Sequence, residues 1–266
     1  MDFDRCSAVI VGGGGGLGGA TARRLVQLGV KVVLFDPILE NAQSYAAELG
    51  EQAVCIEGDQ NNDEEVSEAI IAAQSLGDFC ILVNAAGARI STPSMASVNG
   101  EPHDKHSFTQ MLENHLVGPF NTGRLSAAAF SQNSPNEDGQ RGVIINTSSI
   151  AAYEGQRKQV AYSAAKAGIA GMTLAMARDL STIGVRANAI APGPIVTPRL
   201  ERATDQLKRE LAANVAFPKR LGYAWEYASL VEMILRTPFL NGQVIRLDGA
   251  ISTPFTEMSA PEDNNK

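Results

Sequence analysis

The sequence predicts a single α/β domain in which a parallel sheet of about seven strands is flanked by helices on both faces. Two observations lead to this fold class. Short apolar runs recur along the chain, as expected of strands that are buried on both faces of a sheet. Longer segments with apolar residues at helical spacing separate many of these runs. Such alternation is typical of doubly wound sheets, in which helices connect parallel strands.

The predicted strands are short and rich in β-branched and other apolar residues, a composition that favours extended backbone. In chain order they are Ser7–Val11, Lys31–Phe35, Ala53–Glu57, Phe79–Val83, Gly142–Asn146, Val185–Ile190 and Gly242–Leu247. Helix formers with periodic apolar positions lie between them. They predict helices at Gly18–Leu28, Leu39–Leu49, Asp63–Ser75, Ser107–Ser131 and Ala161–Ser181.

Two polar, turn-prone stretches interrupt this pattern, Ala88–Lys105 and Gln132–Arg141. The first is long for a loop in a compact domain, and loops of that length are often functional; a tolerated surface insertion is the alternative. The chain of 266 residues shows no internal repeat and no interdomain linker. We therefore expect one domain over residues 1–255 and a flexible tail over residues 256–266.

The charge balance bears on possible partners. Lys and Arg number 22 against 29 Asp and Glu, which gives a formal net charge of −7 and a pI near 5.1. A chain of this charge has no general attraction for nucleic acid or for anionic membranes, so we expect neither partner. The apolar runs are shorter than the ~20 residues that span a bilayer. The N-terminus lacks the pattern of a signal peptide, and we expect a cytoplasmic protein.

Cysteine and histidine are sparse. Three Cys, distant from one another in sequence, form no Cys-x-x-Cys pair, and three His form no zinc motif. We expect reduced thiols and no metal site.

A glycine-rich turn predicts a dinucleotide site. Residues 12–18 follow the first strand, and a helix begins directly after them. Glycines at Gly12, Gly16 and Gly18 allow a tight turn and close approach of a pyrophosphate to the helix N-terminus. A flexible glycine loop is the alternative, since several spacings match at once.

Asp36, just past the second strand, lies where an acidic side chain bonds the ribose hydroxyls of NAD. Its charge would repel the 2′-phosphate of NADP, and no Lys or Arg lies nearby in the glycine turn or directly after Asp36. NAD is therefore the predicted cofactor, and a plain turn aspartate is the alternative. Asp59 and the Asn84–Gly87 turn also follow strands, at the edge where ligands bind in open sheets, although ordinary turn chemistry would account for either.

Tyr162 and Lys166 are four residues apart in a predicted helix, which places them on one face. A lysine cation lowers the pKa of a neighbouring phenol, so Tyr162 becomes a usable general base. Ser149, just past the fifth strand, is placed to hold a substrate oxygen. A lone Tyr-x-x-x-Lys pair is a weak signal, but it is strong in combination with Ser149 and the glycine turn.

With these motifs the chain resembles the short-chain dehydrogenase/reductase family over nearly its whole length. The resemblance implies a Rossmann fold and interconversion of a secondary alcohol and a ketone with NAD. It implies that Tyr162 is the acid/base, that Lys166 tunes it, that Ser149 and Gln156 contact substrate, and that Asn114 holds a water in a proton relay. Cofactor contacts implied by the resemblance are Gly12, Gly16, Leu17, Gly18, Asp36, Asp59, Gln60, Asn84, Ala85, Gly87, Tyr162, Lys166, Pro192, Gly193, Ile195 and Thr197.

Within the family the chain is most similar to the subgroup that acts on 3-hydroxyacyl-CoA and 17β-hydroxysteroids, over residues 144–156, 171–198 and 217–250. A 3-hydroxyacyl-CoA is the predicted substrate, and a hydroxysteroid or another hydrophobic alcohol is the alternative. Four basic side chains of the long loop, Arg89, His103, Lys105 and His106, would meet CoA phosphates or simply be solvated. The family also implies a homotetramer. A non-catalytic NAD-binding scaffold or redox sensor is the alternative outside enzymes, but it would commonly lack Ser149, Tyr162 or Lys166.

Overall fold

The structure is a computed structural model that describes residues 2–87 and 93–251. Its centre is a parallel sheet of seven strands, which are β1 (Cys6–Val11), β2 (Lys31–Asp36), β3 (Ala53–Glu57), β4 (Asp78–Asn84), β5 (Gly142–Thr147), β6 (Val185–Pro192) and β9 (Val244–Leu247). Their order in the sheet is β3-β2-β1-β4-β5-β6-β9. The predicted α/β class, parallel sheet and strand number are confirmed.

Helices cover both faces of the sheet. They are α1 (Gly16–Gln27), α2 (Leu39–Leu49), α3 (Asp63–Leu76), α4 (Lys105–Leu112), α5 (Gly118–Phe130), α6 (Val160–Leu180), α7 (Pro198–Glu201), α8 (Asp205–Ala213) and α9 (Ala224–Arg236). Helices α1, α2 and α9 bury apolar side chains in one core layer. Helices α3, α5 and α6 pack in the layer on the opposite face. The sheet is therefore buried on both sides, which is why its strands read as continuous apolar runs.

The helix predicted over residues 107–131 is interrupted. Its two α-helical parts, α4 and α5, are joined without a break by a π-helical turn, Glu113–Val117. The helix begins two residues before the prediction because the Asp104 carboxylate caps it, accepting from the backbone N–H groups of His106 and Ser107. A π turn of this kind is common near functional sites.

The region after β6 holds elements that the sequence patterns did not reveal. Strands β7 (Ile195–Val196) and β8 (Gly222–Tyr223) form a small separate parallel pair, and α7 and α8 lie between them in the chain. Strand β9 begins at Val244 instead of Gly242, because Gly242 adopts a φ of 74°, which does not fit an extended strand.

Two cysteines that are distant in sequence are neighbours in the sheet. The Cys80 thiol donates to Cys6 Sγ at 2.8 Å, across the irregularity where β4 pairs with β1. All three cysteines are free thiols. The hydrogen bond with Cys6, followed by burial, raises the pKa of the Cys80 thiol.

Arg89 and the predicted tail at 256–266 lie outside the described residues. Within residues 2–87 and 93–251, no helix is long and apolar enough to cross a bilayer.

Candidate active site

The candidate site lies at the carboxyl edge of the sheet, where ligands bind in open α/β folds. The glycine turn follows β1, Asn84 ends β4, and Ser149 lies just beyond β5. Because β1, β4 and β5 are neighbours in the sheet, these three points are brought side by side. The fold thus gathers residues that are far apart in the chain.

The glycine turn is shaped by contacts that leave no room for side chains. Gly12 has a φ of 75°, and a Cβ there would lie 2.6 Å from the Ala86 Cα. A Cβ on Gly18 would lie 2.1 Å from the Gly12 carbonyl oxygen. Glycine is therefore required at both positions, and the turn packs directly on the Asn84–Gly87 turn, where Ala85 donates its N–H to the Val11 carbonyl.

The N-terminus of helix α1 has the features of an anion-binding site. In the described part of the chain, no side chain forms a capping hydrogen bond at the start of α1, where Gly15 is the N-cap residue, and the first turn of α1 holds no acidic residue. The first N–H groups of a helix lack intrahelical partners and carry the positive end of its dipole. Leu17, in that turn, packs its side chain against the core.

The segment after β6 faces the start of α1. A Cβ on Gly16 would lie 2.8 Å from Pro198 Cδ and 3.0 Å from Thr197 Cβ. The Thr197 side chain caps α7. The chain turns at Pro192 and Gly193, where Gly193 donates to the Leu247 carbonyl, and Ile195 is buried beyond it. Thr197 and Pro198 thus pack directly against Gly16 at the start of α1.

Asp36 ends β2 beside the glycine turn. One carboxylate oxygen accepts from the Gly14 N–H at 2.9 Å and the other from the Ile38 N–H at 3.0 Å. The side chain is almost fully buried. These bonds hold the carboxylate in a fixed place next to the turn, and each oxygen retains a lone pair for a further donor.

Asp59 and Gln60 follow β3. Asp59 is exposed and one of its oxygens accepts from the Asn61 N–H. Gln60 reaches the π turn, where its Nε2 donates to the Asn114 carbonyl at 2.7 Å. The loop after β3 is thereby tied to the helix that carries Asn114.

The Asn84 side chain is used inside the protein. Its Nδ2 donates to Asn146 Oδ1 at 2.8 Å and to the Pro119 carbonyl, and its Oδ1 accepts from Thr122 Oγ1 at 2.8 Å. These bonds join β4, β5 and α5 beneath the site. Asn84 therefore supports the turn at residues 85–87 and does not turn its amide toward the cleft.

Lys166 is the most deeply buried charged group of the site. It is 2% exposed, and its Nζ donates to the Thr147 carbonyl at 2.7 Å and lies 5.8 Å from the centre of the Tyr162 ring. Burial lowers the pKa of Lys166 to about 8. Tyr162 and Lys166 do share one face of α6, as their spacing predicts.

Ser149 and Ser148 have different surroundings. Ser148 Oγ donates to the Lys166 carbonyl, so it is committed to the backbone of α6. Ser149 Oγ accepts from the Ala151 N–H at 3.1 Å, which leaves the proton of its hydroxyl available to a substrate oxygen. This difference supports Ser149 as the site residue, in agreement with the sequence spacing.

His115 is a site residue that the sequence patterns missed. It lies in the π turn, is buried, and its ring meets the Tyr162 ring edge-on, with centroids 5.3 Å apart and planes at 85°. The turn approaches α6 closely because Gly168 has no Cβ to collide with Leu116. Only the π turn marks His115, and no periodicity in the sequence predicts such a turn.

Comparison with known proteins identifies the family. A model of the short chain dehydrogenase family matches residues 7–208. The chain belongs to the short-chain dehydrogenase family. It is therefore an oxidoreductase of the kind that acts on CH–OH groups, as the sequence predicts.

Relatives within this family are similar over almost their full length. The rat and human proteins named 3-hydroxyacyl-CoA dehydrogenase type-2 are 45% and 46% identical over 245 residues, which is 92% of this chain and 94% of each relative. Ipsdienol dehydrogenase of Ips pini is 35% identical over 91% of this chain and 95% of its own. The crystal structure of 3-hydroxyacyl-CoA dehydrogenase type-2 from Mycobacterium avium, at 41% identity, superposes with a TM-score of 0.93 and covers 96% of this chain and 98% of its own.

Several residues that are predicted to contact substrate in this short-chain dehydrogenase lie in the described part of the chain. Gln156 lies half-buried between Ser149 and α6, where its N–H donates to Gln159 Oε1. His103 lies in the long loop, with Nδ1 3.0 Å from the Pro93 carbonyl. The placement of Lys105 and His106 in that loop is wrong. Both are exposed in the first turn of α4, which the Asp104 cap starts at Lys105.

The residues present fit a dinucleotide. The glycine turn accepts no side chain at Gly12 or Gly18, the start of α1 offers N–H donors without a cap, and Asp36 is a fixed acceptor beside them. Within the described residues, no group of three or more His, Cys, Asp or Glu could hold a metal ion.

The burial of Lys166 predicts that a neutral side chain at this position stabilises the protein. Below pH ~8 the lysine is charged in both folded and unfolded chains, and its lowered pKa corresponds to a cost on the order of 3 kcal/mol. Lys166→Met removes this cost and loses a hydrogen bond of about 1 kcal/mol. We expect it to raise the free energy of unfolding at pH 7 by about 1–2 kcal/mol, measured by urea denaturation.

The difference in the free energy of unfolding between wild type and Lys166→Met should also change with pH. Between pH ~8 and ~10.5 the unfolded lysine binds a proton that the folded one does not, so wild-type stability gains on the variant as pH rises through that window. The exposed Lys31→Met is the matched control and should stay within about 0.5 kcal/mol of wild type. A Lys166→Met protein less stable than wild type at pH 7 would contradict the argument.

Proposed function

We propose that this chain is an NAD-dependent dehydrogenase that interconverts 3-hydroxyacyl-CoA and 3-oxoacyl-CoA esters. The observation that carries the reaction is the buried Lys166 ammonium beside Tyr162, with the Ser149 hydroxyl at the end of the neighbouring strand. The substrate rests on the relatives named 3-hydroxyacyl-CoA dehydrogenase type-2, which are 43–46% identical over 92% of this chain.

The cofactor site supports NAD over NADP. The start of α1 would receive the pyrophosphate, with Gly16 and Leu17 in its first turn, and Thr197, which packs against Gly16, would meet the carboxamide. Asp36 would accept from the ribose hydroxyls and repel a 2′-phosphate. Asp59, Gln60 and the backbone of residues 84–87 would line the adenosine half. Bound NAD supplies the hydride acceptor; the chain supplies binding, orientation and proton transfer.

Tyr162 would act as the base in alcohol oxidation. The lysine cation stabilises the phenolate, because an opposite charge at this distance favours the ionised form. The phenolate accepts the substrate hydroxyl proton, while the Ser149 hydroxyl holds the substrate oxygen. In ketone reduction the same tyrosine returns the proton.

Asn114 would complete a path for that proton. Its carbonyl lies in the π turn that also brings His115 against Tyr162. We propose that this carbonyl holds a water between Lys166 and solvent. The Gln60 amide, which donates to the same carbonyl, would orient the carbonyl. Gln156 would line the acyl side of the pocket.

A hydrophobic alcohol is the second candidate substrate class. It is favoured by the 35% identity with ipsdienol dehydrogenase. A non-catalytic scaffold is disfavoured because Ser149, Tyr162 and Lys166 are all present and brought to one edge of the sheet.

We also propose a cytoplasmic homotetramer. Exposed apolar side chains lie on α5 and α6 and on and after α9. They are Phe120, Leu174, Trp225, Met233 and Phe239. Apolar side chains that stay exposed would be covered where subunits pack together. Light scattering on the purified protein would measure the assembly.

The substrate is tested by NADH formation at 340 nm. The panel holds 3-hydroxybutyryl-CoA, longer 3-hydroxyacyl-CoAs, a 17β-hydroxysteroid and a terpene alcohol, each with NAD and with NADP. We expect the CoA esters with NAD to give the highest kcat/KM. Turnover of the steroid or terpene alone would reject the CoA substrate and retain the dehydrogenase. Turnover of none, with tight NADH binding, would favour the scaffold.

Tyr162→Phe tests the proton transfer. Removing the phenol hydroxyl should lower kcat at least ~100-fold, because it removes the group that accepts the substrate proton in the proposed mechanism. NADH binding, followed by its fluorescence, should change little. Tyr45→Phe, which removes a hydroxyl on α2, is the matched control and should keep wild-type kcat. Near wild-type turnover by Tyr162→Phe would rule the mechanism out.

Asp36→Asn tests cofactor choice. The amide keeps the shape of the side chain and one acceptor for the N–H groups of Gly14 and Ile38 but removes the charge. We expect the ratio of NAD to NADP kcat/KM to fall by about 10-fold or more. The exposed Asp179→Asn should leave the ratio unchanged. An unaltered ratio in Asp36→Asn would refute the role.

A further inference from the structure

Tyr227 is a buried polar group that the proposed mechanism does not use. It lies on α9, its side chain is completely buried, and its hydroxyl oxygen is 2.7 Å from Thr147 Oγ1. The other buried side chains of α9 are apolar and pack on the sheet. A buried phenol hydroxyl among them needs a specific partner, and the partner is the last residue of β5.

The direction of this hydrogen bond is fixed by its neighbour. Thr147 Oγ1 donates its single proton to the Asn84 carbonyl at 2.5 Å. It can therefore only accept from Tyr227, whose O–H must be the donor. Burial raises the pKa of Tyr227 to about 12, so the phenol keeps that proton over the working range of an enzyme.

Thr147 connects this chain of hydrogen bonds to the catalytic lysine. Its main-chain carbonyl accepts from Lys166 Nζ at 2.7 Å. Thr147 is also where β5 ends, so fewer ladder bonds hold its peptide than hold residues in the middle of the strand. The side-chain bonds to Tyr227 and Asn84 therefore help to fix the direction of the carbonyl on which Lys166 rests.

We propose that Tyr227 is a positioning residue for Lys166, acting through Thr147. This inference rests on the proposed function, since it assumes that Lys166 tunes Tyr162. When Tyr227 no longer donates, the Thr147 side chain loses one of its two anchors, the carbonyl turns, and the ammonium moves relative to the Tyr162 ring. Displacements of about 1 Å at a catalytic group are known to cost up to ~100-fold in rate.

Four variants test the proposal. Tyr227→Phe removes only the donor. Thr147→Val removes the hydroxyl that links Tyr227 to β5, and Thr147→Ser keeps that hydroxyl. The double variant Thr147→Val/Tyr227→Phe completes a double-mutant cycle. Thr173→Val removes a buried hydroxyl on α6, away from the Tyr227–Thr147 hydrogen bond, and is the control for loss of a buried threonine hydroxyl.

We expect Tyr227→Phe to lower kcat by about 10-fold, with KM for NAD changed less than about twofold. A less well placed lysine cation raises the pKa of the Tyr162 phenol, so the acid limb of the kcat/KM profile for alcohol oxidation should move to higher pH. Lys166 from α6 and His115 from the π turn are titratable groups that face Tyr162, and no variant changes either.

The cycle separates positioning from simple packing. If Tyr227 acts through Thr147, the double variant is no slower than Thr147→Val, and Thr147→Ser restores most of the wild-type rate. Thr173→Val should keep the wild-type acid limb even if its melting temperature falls. Crystal structures of the unliganded proteins add a readout without turnover, in which Lys166 Nζ should leave the Thr147 carbonyl in Tyr227→Phe.

Three results would overturn the inference alone. They are a Tyr227→Phe enzyme with wild-type kcat and acid limb, rate losses that multiply in the double variant, and an unmoved Lys166 in the unliganded Tyr227→Phe structure. A wild type that oxidises no alcohol in the panel, with Lys166 displaced as expected in Tyr227→Phe, would instead reject the proposed function and leave the structural link standing.

Discussion

A lysine ammonium held out of water at the end of β5 is the constraint on which the rest of the site depends. A buried charge needs hydrogen-bond acceptors in fixed places, and Lys166 finds one in the Thr147 carbonyl. That carbonyl is held by the strand, by the Thr147 side chain and by the Ser148 hydroxyl, which donates to the Lys166 carbonyl on α6. Because the folded chain bears the cost of this burial, stability is given up for a cation beside Tyr162.

The second constraint is close approach of backbones on the cofactor side. The glycine turn lies against the Asn84–Gly87 turn, and the Asn84 amide is bonded to Asn146 and Thr122 underneath. The cleft is thus built on a layer of buried, paired polar groups, which suits a site that must hold its geometry while the ligand changes. Asp36 belongs to the same layer, since both of its oxygens accept backbone N–H groups.

Sequence patterns predict the sheet, most helices and the residues at strand ends, because strand burial and glycine turns leave local signals. They put Lys105 and His106 in a loop because they do not reveal the Asp104 cap. They do not reveal His115, because a π turn changes the helical register without a compositional signal. They do not reveal Tyr227, because its partner is 80 residues away and is reached only through the packing of α9 on the sheet.

The position of Tyr227 gives α9 two different faces. Residues two apart on a helix point in nearly opposite directions, so Trp225 is exposed while Tyr227 is completely buried. The hydrogen bond from Tyr227 to Thr147 and the hydrogen bond from Lys166 to the Thr147 carbonyl form a short physical connection between the buried face of α9 and the active site. The exposed face of α9 is therefore free to vary, whereas the buried face is constrained by the site.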